Sequence, residues 1–201
     1  MKIAIFTLAA YLLGAIPFGL LVAKSKGVDI RKQGSGNIGA TNVLRVIGKG
    51  WGIFTLVLDA LKGFIPAFVF PILGKFDSEW GVLFGLAAIL GHTFPVYLNF
   101  KGGKGVATSA GMLLGVAPAA VGIGFVCWIV TMVLSRYVSL ASIVAAIAVA
   151  AAVWIRGDKA MVVNVALSFL AVMVVWLHRA NIKRLLNGTE NRFGNRKEEK
   201  A

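Results

Sequence analysis

The sequence predicts an all-α, polytopic integral membrane protein, and three observations carry that prediction. Of its 201 residues, 58% are hydrophobic and only 14% are charged, against roughly 25% charged in soluble domains. The apolar residues fall in long runs, at 3–23, 51–73, 80–99, 105–134, 138–155 and 160–177, and roughly 20 such residues span the hydrocarbon core as a helix. The strand alternation of a membrane barrel is missing, so each span is expected to satisfy its own backbone polar groups as a helix.

The first run has the look of a secretory leader. Its charged region is Lys2 alone, no A-x-A cleavage site follows, and six basic residues come after it, so it reads as an uncleaved first span. The second run carries Asp59 and Lys62 at i, i+3, an ionisable pair expected to neutralise itself inside the bundle. The third ends on Gly91-His92-Thr93-Phe94-Pro95, and His92 is expected to lend structural support from the interior. The fourth, 105–134, would be about 45 Å long as one straight helix, more than a simple span needs. It contains Gly115, Pro118, Gly122 and Gly124, and Pro118 removes a donor and disfavours helix in the residue before it. A turn near Gly115–Pro118 gives a short helix over 105–115 and a second over 118–134, hence seven helical membrane segments.

The basic residues decide for that turn. With it, Lys24, Lys26, Arg31, Lys32, Arg45, Lys49, Lys101, Lys104, Arg136 and the seven basic residues from Arg179 to Lys200 all fall on one side. Lys2, Lys75, Arg156 and Lys159 fall on the other, with Asp77, Glu79 and Asp158. By the positive-inside rule the N-terminus lies outside and the C-terminus in the cytoplasm. Two full crossings and a re-entrant hairpin give the same sidedness. The chain is read as a single membrane-embedded domain, 1–201, with 193–201 a frayed cytoplasmic tail.

A net charge of +13 first suggests nucleic acid, which the long uncharged apolar runs exclude. Anionic lipid head groups and phosphorylated small molecules suit this charge better. Cys127 is the only cysteine, so no internal disulfide or multi-cysteine metal site is possible.

Three polar clusters lie on the basic side. The first runs Gly34-Ser35-Gly36-Asn37-Ile38-Gly39-Ala40-Thr41-Asn42, then Arg45. Its glycines let successive amides turn toward one point, Ser35, Thr41 and Asn42 add donors, and Arg45 adds a forked cation suited to phosphate; the composition equally fits a flexible linker. The second is Phe100-Lys101-Gly102-Gly103-Lys104-Gly105, just before a helix N-terminus, where free amides and the positive dipole end favour an anion. It is not a Walker A loop, and the alternative is a pair of lysines snorkelling at the interface. The third spans His178 to Arg192, with His178 and Asn181 on one helix face; taken alone it reads as a lipid-binding basic helix. Ser139 and Ser142, on one face at the start of the run 138–155, either extend the polar site or bond across helices.

Phosphate-friendly clusters at the edge of hydrocarbon suggest a charged substrate meeting a lipidic one. Carboxylates on the basic side, Asp29, Glu190, Glu198 and Glu199, do not have the spacing of a magnesium phosphotransferase. There is no serine nucleophile elbow. Tyr97 and Lys183 stand where soluble acyl-CoA acyltransferases place an acid five residues after a catalytic histidine.

At this point the sequence resembles the bacterial PlsY-type acyl-phosphate:glycerol-3-phosphate acyltransferase family. The resemblance rests on Ser35-Gly-Asn-Ile-Gly-Ala-Thr-Asn42, on Gly91-His92 through Phe100-Lys-Gly-Gly-Lys-Gly-Val-Ala-Thr108, and on His178-x-x-Asn-Ile-x-Arg-Leu-x-x-Gly-x-Glu-x-Arg192. It implies transfer of a fatty acyl group from acyl phosphate, not acyl-CoA, to the 1-hydroxyl of glycerol 3-phosphate. Lysophosphatidic acid and phosphate are the products, in the first acylation of phospholipid synthesis at the bacterial inner membrane. Carried onto matching positions, it implies catalytic roles for Ser35, Asn37, Thr41, Asn42, Arg45, His178 and Asn181. Gly36, Gly102, Gly103, Lys104, Gly105, Ser142 and Arg45 would bind substrate, with His92 and Glu190 in support. No metal or cofactor is expected. The implied partners are the two substrates, membrane lipids and the enzyme that forms acyl phosphate. A transporter of a phosphorylated metabolite is the alternative, since basic clusters and broken helices occur there too.

The crossing count makes its own prediction. A reporter fused to the C-terminus is expected to read as cytoplasmic in whole cells, and a periplasmic signal would undo the turn and the sidedness built on it.

Overall fold

The computed structural model describes residues 1–194, and among them all regular structure is helical. Five helical stretches are long and apolar enough to cross a membrane: Lys2–Lys24, Lys49–Gly74, Trp80–Leu98, Pro118–Ser135 and Val138–Arg156. A sixth, Met161–Leu177, qualifies together with Arg179–Leu186, from which it bends by 54°. Val106–Val116 is a shorter apolar helix. The chain divides into two compact units, one over Met1–Pro118 and one from Ala119 onward.

The first unit begins with α1 (Lys2–Ala15) and α2 (Phe18–Lys24). The sequence reads this stretch as a first span, and it is one candidate span over Lys2–Lys24; within it Pro17 drives Ile16 out of the helical region, to ψ 117°, and the helix restarts beyond. A short α3 (Ala40–Val46) precedes α4 (Lys49–Phe64). From α4 the chain passes through a π-helical turn, Ile65–Val69, into α5 (Phe70–Gly74). Pro66 removes a donor here, and the Phe70 amide reaches back to the Ile65 carbonyl, the wider i to i−5 bond of a π turn. Helices α6 (Trp80–Thr93) and α7 (Val106–Val116) complete the unit. The break expected near Gly115–Pro118 falls at Ala117, which leaves helical geometry at φ −143° and ψ 63°.

Two helix pairs are packed backbone to backbone. A Cβ at Gly14 would overlap the Ala88 carbonyl, and one at Gly91 the Tyr11 carbonyl, so α1 and α6 meet through glycines on both partners. Likewise Gly63 sits on the Thr108 carbonyl and Gly111 on the Ala60 carbonyl, joining α4 to α7. In lipid no hydrophobic force drives helices together, so close contact of this kind holds them. At one end of the unit Phe6, Phe70, Phe76 and Phe84 pack with ring centroids 5.3–6.2 Å apart.

The second unit holds α8 (Pro118–Ser135), α9 (Val138–Arg156), α10 (Met161–Leu177) and α11 (Arg179–Leu186). Arg136, at φ 61°, and Gly157, at φ 63°, make the two tight turns. The indole of Trp154 donates to Ser168 Oγ at 2.9 Å, tying α9 to α10. That of Trp128 donates to Ser142 Oγ at 3.4 Å, tying α8 to α9.

The glycine contacts can be tested directly. Gly111→Val is expected to lower stability by about 1–3 kcal/mol, as overpacking does, in thermal unfolding in detergent. A Cβ at Gly122 meets nothing within 4 Å, so Gly122→Ala is expected to leave the midpoint unchanged or slightly raised.

Candidate active site

The loop between α2 and α3 is held from within by one side chain. Asn42, 1% exposed at the start of α3, donates through its amide nitrogen to the carbonyls of Ile30 (3.2 Å), Gln33 (3.0 Å) and Asn37 (2.9 Å). Its Oδ1 accepts the Ser35 amide at 2.9 Å and Arg45 Nη1 at 3.4 Å. The sequence reading sets Asn42 among the catalytic donors. In the structure both ends of its amide are bonded, to the loop and to Arg45.

Gly34 (φ 60°) and Gly36 (φ 71°) supply the left-handed turns that bring Ser35 to Asn42, and a Cβ at Gly34 would overlap Asn42 Oδ1. Asn37 Oδ1 accepts the Gly39 amide at 2.8 Å, a local turn of its own. Ser35, Gly36, Thr41 and Arg45 are left on the exposed side of the loop. Earlier in the loop Arg31 grips the Asp29 carboxylate with two bonds of 2.9 Å. The side-chain bond from Arg31 holds that carboxyl down at about 2.

The glycine loop before α7 is wound on the end of α6. The Gly102 amide donates to the Thr93 carbonyl (3.1 Å) and the Gly103 amide to the His92 carbonyl (3.0 Å). No side chain fits at either position: a Cβ at Gly102 would overlap His92 O, and one at Gly103 would overlap His92 Nε2. Gly105, at φ 73°, turns the chain into α7 and passes over Thr93 Oγ1 and Ser109 Oγ. Both hydroxyls are buried with no protein hydrogen bond among the described residues. The first amides of α7 lack acceptors within the helix, as at any helix start, and half-buried Lys104 immediately precedes Gly105. The arrangement presents donors and positive charge to an anion.

In the second unit the third cluster closes around Glu190, whose side chain is 7% exposed. Its Oε1 accepts Ser139 Oγ and Asn181 Nδ2, each at 2.7 Å, and its Oε2 accepts Arg184 Nε at 2.6 Å. Burial pushes the carboxyl up, but the bonds from Asn181, Ser139 and Arg184 outweigh it and hold the carboxyl below the ordinary glutamate range. Arg192 Nε donates to the Tyr137 hydroxyl at 2.9 Å, and the Phe193 amide to the Arg136 carbonyl at 2.7 Å. Phe193, the first residue of the expected tail, is therefore tied down; 195–201 lie outside the described residues.

His178, 3% exposed, sits at the α10–α11 bend with Nδ1 2.8 Å from the Val174 carbonyl. A carbonyl only accepts, so Nδ1 carries the hydrogen in this contact. Ser142 Oγ donates to the Val138 carbonyl at 2.8 Å and accepts from Trp128, so it bonds across helices. The sequence missed the carbonyls that Asn42 gathers and the bond that joins Ser139, already singled out there, to Glu190. A short polar side chain among backbone groups leaves no spacing to read.

A family model described as glycerol-3-phosphate acyltransferase matches residues 4–188. Relatives of that name include one from Geobacter metallireducens, 54% identical over 96% of this chain and 99% of its own. One from Geotalea daltonii is 48% identical over 94% and 96%, and one from Aquifex aeolicus 46% over 96% and 100%. A crystal structure of PlsY, described as an integral membrane glycerol 3-phosphate acyltransferase in its glycerol 3-phosphate form, superposes with a TM-score of 0.91 at 44% identity, covering 96% of both chains. Its lysophosphatidic acid form gives 0.87 at the same identity and coverage.

The depressed Glu190 carboxyl stabilises the fold while ionised. That contribution is present above the ordinary glutamate value of 4.5 and is lost as pH falls through the lower folded value. Glu190→Gln is expected to lower stability at neutral pH by about 1–3 kcal/mol, as for a lost charged hydrogen bond. The gap to the unsubstituted protein should close on acidification below 4.5. A gap independent of pH in thermal unfolding would show that the charge does not matter.

Proposed function

Because the chain belongs to the glycerol-3-phosphate acyltransferase family, in its integral-membrane PlsY type, we propose that it transfers a fatty acyl group from acyl phosphate to the 1-hydroxyl of glycerol 3-phosphate. The products are lysophosphatidic acid and inorganic phosphate. The observation that carries this reading is the glycine loop wound on His92 and Thr93 and leading into α7, an anion cradle in a chain of this family. The glycerol 3-phosphate and lysophosphatidic acid forms of the PlsY structure support it.

Acyl phosphate is already an activated mixed anhydride, so the protein has to position and to stabilise charge rather than form a covalent intermediate. The 1-hydroxyl oxygen attacks the acyl carbon, giving a tetrahedral oxyanion. The bond from that carbon to the phosphate oxygen then breaks, and phosphate leaves. The hydroxyl proton passes either to His178 Nε2 or to a substrate phosphate oxygen, which would leave with it. Ser35, Asn37, Thr41 and the amides around Gly36 are the proposed oxyanion donors. Arg45 and Lys104 offset repulsion between the two phosphates, with the loop Gly102–Gly103–Lys104–Gly105 and the first amides of α7 at the glycerol-phosphate end. Asn42 holds the first loop, and Glu190 with Asn181 holds the third motif. Ser142 is retained as a substrate contact from the sequence reading.

The proposal includes the topology read from charge. Seven helical segments are counted by adding α7 and α10 to the five long stretches, with the N-terminus outside and the three motifs facing the cytoplasm of a bacterial inner membrane. Receipt of acyl phosphate from the enzyme that makes it belongs to the same reading.

Purified protein in detergent, with no sealed compartment, is expected to form lysophosphatidic acid from palmitoyl phosphate and glycerol 3-phosphate. No product would overturn the proposal and leave the transport reading standing. His178→Gln separates the two proton routes. Loss of turnover with substrate binding kept assigns the proton to His178, and substantial residual turnover assigns it to the substrate phosphate.

A further inference from the structure

Lysine and aspartate are costly inside an apolar span and persist there when they do work. Asp59 and Lys62 lie in α4 with side chains 2% and 1% exposed, and Lys62 Nζ meets Asp59 Oδ1 at 2.8 Å. Self-neutralisation explains that the pair is tolerated, but not what else it touches. Lys62 Nζ also donates to the carbonyl of Ile16 at 2.8 Å, at the break where Pro17 ends α1. On the other side, Asp59 Oδ1 lies 3.7 Å from Nδ1 of His92, a side chain 6% exposed. That ring nitrogen makes no protein hydrogen bond among the described residues, and the carboxylate is the charge it faces.

His92 in turn is the surface on which the glycine loop is wound. Its carbonyl accepts the Gly103 amide, and its Nε2 edge occupies the space a side chain at Gly103 would need. A continuous buried chain thus runs from the end of α1 through Lys62, Asp59 and His92 to Gly103. Lys62 and Asp59 have few rotamers open to them, because parting would strand a charge in hydrocarbon, and the His92 ring is packed against the Gly103 backbone.

We propose that Asp59 and Lys62 are positioning residues that set the glycine loop through His92, fixing the loop for glycerol 3-phosphate. They touch no substrate. The Asp59 carboxylate beside its ring orients the His92 imidazole, and His92 fixes the plane and height of the Gly102–Gly103 backbone, and through it where Lys104, Gly105 and the first amides of α7 stand before the anion. The pair sits in the span rather than in the loop because it ties the loop to the α1 break. This inference rests on the proposed glycerol-phosphate role of the loop.

The test uses the full chain in detergent and the paired variant Asp59→Asn/Lys62→Gln, which removes both charges together and leaves no lone buried ion. The apparent KM for glycerol 3-phosphate is expected to rise about tenfold, the loss equivalent to roughly one hydrogen bond. The KM for palmitoyl phosphate should hold. Gly103→Ala should raise the same KM, and adding it to the paired variant should raise the value by less than the product of the two effects, because both act on one loop. An unchanged glycerol 3-phosphate KM, or a fall in kcat alone with a lowered unfolding midpoint, would overturn the proposal. Should the paired variant not fold, His92→Gln, which keeps the ion pair, is expected to show the same selective rise, and a normal KM there overturns it equally. Should the unsubstituted protein make no product, the function reading fails by itself. The rise in unfolding midpoint on adding glycerol 3-phosphate then decides positioning: it should be present in the unsubstituted protein and diminished in the paired and His92→Gln variants. Absence of that rise in the unsubstituted protein would overturn both.

Discussion

Every amide and carbonyl inside the hydrocarbon has to find its partner within the chain, and this constraint shapes the rest of the molecule. It makes the spans helical, and it makes each break in a helix a place that must be repaired. The repairs differ in kind. At the π turn the Phe70 amide reaches the Ile65 carbonyl, and the helix mends itself. At Pro17 the backbone does not recover alone, and a lysine from α4 comes to the Ile16 carbonyl. That lysine needs a counter-charge, which brings Asp59 and then His92 into the same buried line. A local steric effect of proline is thus answered by charged groups in the interior of the first unit.

The first loop of the first unit and the third motif of the second share one mode of construction. A single buried polar side chain gathers the surrounding groups and has little capacity left for anything else. Asn42 does this with one oxygen and one amide nitrogen, and Glu190 with two oxygens and three donors. The consequence is preorganisation: donors held in place before substrate arrives need not be reorganised as charge develops. On the proposed reading, an activated donor such as acyl phosphate asks for little more than that. Ser35 and Arg45, on the exposed side of the first loop, are held by Asn42, whose own groups point inward.

Much of this was legible in the chain. The six apolar runs gave the long apolar helices to within a few residues, because hydrophobicity over 20 positions is a strong and additive signal. Pro118 announced the break that falls at Ala117. The spacing of Asp59 and Lys62 announced their ion pair, since i, i+3 residues share a helix face. Pro17 carried the same signal as Pro118, yet the run 3–23 was short enough to span unbroken, and length gave no reason to doubt it.

What the sequence determined by itself is the class of fold, the residues that gather at each loop, and the family to which they point. These follow from composition and from local spacing. What only the tertiary structure decided is the division of labour among those residues. Asn42 and Thr41 are neighbours with similar polar side chains, and only packing sends one inward as a clamp and leaves the other outward. His92 is one of two histidines, and only the approach of α4 to α6 shows that it stands between a buried ion pair and the glycine loop. Contacts between residues far apart in the chain depend on where whole helices lie, and in the first unit that is fixed by glycine faces and carbonyls meeting between helices.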